Sequence, residues 1–140
     1  MIEIPSAVDI FIRRLAGAQP SPESIWLIGS RANGGATNES DWDFVAFADA
    51  AYFEMLKTGS SPAELAVDVL LVVDGSIFRN PWNENKAGDL GRWQWSTQTA
   101  SHATYQSTVW IPDQNREEGD PVELGELITR TNNAFCVWPA

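Results

Sequence analysis

With 140 residues, 44% of them hydrophobic and 20% charged, the chain has the size and composition of one globular domain with a real core. A net charge of −10, from 19 acidic against 9 basic residues, disfavours a large nucleic-acid footprint, because phosphate neutralisation asks for a basic surface. One cysteine, Cys136, and one histidine, His102, exclude an intramolecular disulfide and a zinc or copper centre, so any bound metal must be held by oxygen.

In chain order, Ser6 with Asp9 three residues later predicts a capped helix start. Val8, Phe11, Ile12 and Leu15 continue it with helical spacing, and Gly17 fits the stop. Ser24 to Ile28 is a short apolar run ending at Gly29, which predicts a buried strand. Phe44 to Ala48 predicts a second strand, Ala50 to Lys57 a helix closed by Gly59 and Pro62, and Leu65 to Val73 a third strand, apolar except at Asp68.

Beyond residue 75 the texture changes, with more Trp, Thr, Asn and Pro. Arg92 to Ser96 and Thr104 to Ile111 alternate as strands do and predict a hairpin. Asp113 to Asp120 reads as an acidic loop. Asp120-Pro121-Val122-Glu123 then has the N-cap, N1 proline and N3 glutamate of a last helix running to Thr131. Without a repeat or a low-complexity linker the chain is one domain, 1–140, with a core over 1–75 and a Trp-rich extension over 76–140. The tryptophans read as core or interface; were Trp93, Trp95 and Trp110 exposed, the extension would be an interaction module. His102 reads as a polar surface residue and Cys136 as a small buried hydrophobe.

No apolar run nears the ~20 residues of a membrane span, and Met1 to Pro5 lacks the basic start and apolar run of a signal peptide. A cytoplasmic protein away from the membrane is expected.

Two groups of residues carry chemistry. At Gly29-Ser30 a strand gives way to a helix, which leaves backbone N–H groups free for phosphate oxygens and adds the Ser30 hydroxyl. Alone, the pair reads equally as a plain strand-to-helix turn with Ser30 as N-cap. It is not a P-loop, for Gly29 to Ala36 lacks the Lys and Ser/Thr of that motif. Asp41 and Asp43 stand two apart, which puts both carboxylates on one face of a strand with Trp42 opposite. Like charges held so close call for a cation between them. Asp68 interrupts an apolar strand and must find a metal, a hydrogen-bond donor or a cationic partner. If its strand lies beside that of Asp43, all three carboxylates can converge on one or two hard cations.

Gly29-Ser30-Arg31-Ala32, Gly34, Ala36 and Ser40-Asp41-Trp42-Asp43, with ten residues between Gly-Ser and the first Asp, resemble the signature of minimal nucleotidyltransferases of the DNA polymerase beta-like superfamily. The resemblance covers roughly residues 5–75 and includes Asp68 as the third carboxylate. It implies an α+β fold, a small mixed β-sheet flanked by helices, to which the hairpin and C-terminal helix would be added. It implies an enzyme in which Gly29, Ser30 and Arg31 hold the nucleotide, while Asp41, Asp43 and Asp68 bind magnesium, or else manganese, and carry catalysis. Asp68 would also act as general base. The donor would be an NTP, ATP first, and the acceptor a hydroxyl of a protein or a small molecule. A homo-oligomer or a helical toxin partner is a further implication, and a non-catalytic antitoxin of the same fold is the alternative function. Asn33 stands where similar proteins often have Arg, and the Trp-rich half does not resemble their helical tail.

Overall fold

The structure, a computed structural model, describes residues 3–112 and 125–139. Helix α1, Ser6–Ala16, buries Val8, Ile12, Leu15 and Ala16 along one stripe. The expected Ser6–Asp9 capping box does not form: Pro5 holds the cap position, and Asp9 pairs instead with Arg13 at 3.0 Å, one turn on. Strand β1, Ser24–Ile28, runs into the single turn α2, Ser30–Asn33. Strand β2, Trp42–Phe47, is followed by helix α3, Ala50–Lys57, where the Asp49 side chain caps the Tyr52 N–H at 2.9 Å. A 3-10 turn, Pro62–Leu65, leads to strand β3, Val67–Asp74. These elements lie close to where the hydrophobic spacing puts them.

The second half departs from expectation. It continues with β4, Ile77–Asn80; β5, Asn83–Asp89; the short β6, Ser96–Thr97; and two long strands, β7, His102–Pro112, and β8, Gly125–Trp138. Among the described residues these eight strands form one mixed sheet in the order β5-β4-β3-β2-β1-β8-β7-β6, in which β2 and β3 are parallel and the other neighbours antiparallel. The fold is therefore mostly β, a curled eight-stranded half-barrel with few helices, and not a small α+β sheet flanked by helices. Residues 125–131, expected in a C-terminal helix, are strand: β7 offers them a continuous antiparallel partner from Gly125↔Pro112 to Thr131↔Gln106, and that pairing overrides the local helical spacing. The proposed helix start at 120–123 lies outside the described residues. The hairpin also differs, since Arg92 to Gln94 form a turn and β7 pairs mainly with β8.

The sheet buries apolar residues on both faces. On one, α1 and α3 cover Ile25, Leu27, Trp42, Phe44, Ala46, Val67, Val69 and Leu71. On the other, Trp26, Ile28, Val45 and Val72 lie beneath the turn around residues 90–95. Trp93 reaches Phe78 of β4 at 4.9 Å and Tyr105 of β7 at 5.6 Å between ring centroids. Those strands stand on opposite flanks of the sheet order, so one side chain touching both requires the sheet to curl around the turn. Trp95 meets Trp26 edge-on at 5.6 Å, so both tryptophans fill the concave face, whereas Trp110 is 43% exposed. Among the described residues no helix is long and apolar enough to cross a membrane.

Candidate active site

The parallel pairing of β2 with β3 sets Asp43 directly beside Asp68. Neighbouring residues in register share a face, so the two side chains stand together at the end of the concave side, beyond Val45 and Val72. Trp42 and Val67, one residue back, turn into the opposite core. Asp41 precedes the strand and is exposed. Burial, then the charges of Asp68 and Asp41, push the Asp43 carboxyl up from 3.8 to about 6, and Lys86 opposes the rise.

Gly29 closes on this carboxylate from β1. Its φ of +74° lies where a side chain is strained, and a Cβ there would sit 2.6 Å from Asp43 Oδ2. A glycine is thus required twice over, by its dihedral and by the approach of Asp43. Its N–H does not point into empty space: it donates to the Tyr105 hydroxyl at 2.8 Å. Burial raises the pKa of that phenol, and the Asp43 charge adds to the rise. Asn33 donates to the Gly29 carbonyl at 2.8 Å, and its amide exchanges bonds with the Asn133 backbone at 3.1 and 2.7 Å. The first turn after β1 is therefore fastened to β8. Ser30 lies beside it, in a groove of about 710 Å³ lined also by Gly29, Tyr105, Ser107 and Arg130.

Arg31 makes its contacts with the loop before β2. Its guanidinium donates twice to the Ser40 carbonyl, at 2.9 and 3.3 Å, and lies 4.7 Å above the Trp42 ring. It ties down the loop that carries Asp41.

Asp68 is fully engaged. Oδ1 accepts from Asn80 Nδ2 at 2.6 Å, and Oδ2 meets Lys86 Nζ at 2.5 Å. Asn80 is buried and fixed in turn, since its Oδ1 accepts the Trp82 N–H at 2.8 Å. The Asp68 hydrogen bond, with the neighbouring carboxylates, holds the Lys86 ammonium charged. Asp41, Asp68 and Lys86 line a second cleft of about 360 Å³, walled by Trp82 and Asn83. Asp43 lies close to Gly29, which lines the first cleft, and in register beside Asp68, which lines the second.

The three carboxylates thus share one neighbourhood. Among the described residues no group of three acids, His or Cys is arranged to hold a metal ion, and the Asp68 oxygens are bonded to Asn80 and Lys86. Asp41 and Asp43, two residues apart, are the carboxylates that could hold a hard cation.

Tyr105, Asn80 and Lys86 were not anticipated from the sequence. One signal pointed to the last: a carboxylate in an apolar strand needs a cation, and the chain has only two lysines, Lys57 and Lys86. His102 contacts Asn133 Oδ1 at 2.9 Å and stacks on Phe135, away from the carboxylates, and Cys136 is half-buried. No family model matches the chain, and comparison with curated proteins and with solved structures finds no match.

Proposed function

We propose that the protein transfers a nucleoside monophosphate from an NTP, ATP first, to a hydroxyl of a protein or small molecule, releasing pyrophosphate. The observation that carries this reading is Asp43 paired in register with Asp68 and pressed against a glycine that admits no side chain. Burial first, then the charges of Asp68 and Asp41, push this carboxyl up to about 6, and a divalent cation beside it would relieve both.

Asp41 and Asp43 would hold magnesium or manganese, which when bound neutralises phosphate charge around the reacting phosphorus. The groove beside Ser30 suits the triphosphate, with the Ser30 hydroxyl as a donor and Arg130 as a cation on its far wall. The cleft beyond Asp43 suits the acceptor. There Asp68, oriented by Asn80 and Lys86, takes the hydroxyl proton. The acceptor oxygen bonds to the α-phosphorus as the bond to the pyrophosphate oxygen breaks. The net charge of −10 favours a basic small molecule or a protein over RNA as acceptor.

A second reading, a non-catalytic protein of the same fold such as the neutralising partner of a helical toxin, is favoured by one observation: Lys86 already satisfies Asp68. Titration of ATP with and without magnesium, on wild type and Asp43→Asn, separates the two, together with pyrophosphate release in the presence of candidate acceptors. Magnesium-dependent binding that Asp43→Asn abolishes, with pyrophosphate release, supports the enzyme. Equal binding by both proteins, or none by wild type, sinks the site assignment; binding without release for any acceptor favours the second reading.

A further inference from the structure

We infer that Lys86 is a resident cation that keeps Asp68 out of metal coordination, so that the site takes one divalent ion rather than two. This rests on the proposed nucleotidyl-transfer site. The hairpin of β4 and β5 commits two residues to one carboxylate: Asn80 to Oδ1 at 2.6 Å and Lys86 to Oδ2 at 2.5 Å. Asn80 cannot turn away without breaking its 2.8 Å bond from the Trp82 N–H, and it is only 7% exposed. The remaining oxygen faces the cleft, and the ammonium caps it there. The divalent ion belongs with Asp43, which stands in register beside Asp68, and with Asp41, two residues before it on the same face. Lys86 is a positioning residue in this scheme: it holds Asp68 toward the acceptor cleft without drawing it into a metal's coordination shell.

The test counts metal. Equilibrium dialysis of the full chain against manganese, with a saturating non-hydrolysable ATP analogue, should retain one ion per chain in wild type. Lys86→Arg, which keeps the charge, should also retain one. Lys86→Met, which keeps the stem and frees Asp68 Oδ2, should retain two. Circular dichroism and thermal unfolding check that each variant is folded. Two ions in wild type would overturn the inference while leaving the nucleotidyl-transfer reading intact, and so would one ion in folded Lys86→Met. No ion in wild type, or unchanged retention in Asp43→Asn, would instead remove the metal-dependent reading on which the inference depends.

Discussion

Replacing Asp43 by Asn should stabilise the metal-free protein at neutral pH and destroy its response to magnesium. The substitution keeps the shape of the side chain and deletes its charge. In the folded state the carboxyl titrates near 6 rather than 3.8. Because the folded-state value is raised, the neutral acid favours the fold fully below about pH 4, and that contribution is lost as pH rises through about 6. A shift of this size corresponds to ~3 kcal/mol, at ~1.4 kcal/mol per tenfold change in proton affinity. Solvent screening at a half-exposed carboxylate cuts the figure to ~1–2 kcal/mol. Asp43→Asn should therefore raise the melting temperature by roughly 3–8 °C near pH 7 in chelator, for a domain of this size. Near pH 3, below both the unfolded and the folded value, the two proteins should differ by less than ~0.5 kcal/mol, since Asp43 is then largely neutral in both states. Magnesium should raise the melting temperature of wild type and leave the variant unmoved. Thermal unfolding across pH, with chelator and with magnesium, reads all three effects. A variant less stable than wild type near pH 7 in chelator, or a difference that does not change with pH, would refute the electrostatic reasoning.

Gly29→Ala should cost ~2–4 kcal/mol, combining the strain of a left-handed φ with the collision on Asp43, as measured by chemical denaturation. Tyr105→Phe removes the acceptor of the Gly29 N–H and should cost ~1–3 kcal/mol, with weaker ATP binding because the phosphate turn loosens; unchanged stability would show that the bond contributes nothing. Arg31→Ala should lower stability by about 1–2 kcal/mol through loss of the Ser40 bonds and the Trp42 stacking. Its ATP affinity, measured by calorimetry, should change less than twofold if the guanidinium only braces the loop (~0.4 kcal/mol).

What the sequence by itself determined lies mostly before residue 75. Helices α1 and α3 and strands β1 to β3 are legible in the spacing and runs of their apolar residues. Asp43 and Asp68 were legible for the same reason: a carboxylate within an apolar strand has few explanations. The second half was not legible, because its strands exist through pairing. Residues 125–131 carry a spacing that suits a helix, and they become strand only because β7 lies alongside them. Residues 83–89, Asn-Glu-Asn-Lys-Ala-Gly-Asp, look like a polar loop, and their pairing with β4 makes them an edge strand. Tertiary structure alone decided what surrounds the carboxylates. Curling of the sheet brings Tyr105 to Gly29 across 76 residues, and the β4–β5 hairpin brings Lys86 to Asp68 across 18. Local spacing can mark a charge that must be balanced, but the residue that balances it is set by strand order and register, which are properties of the whole sheet.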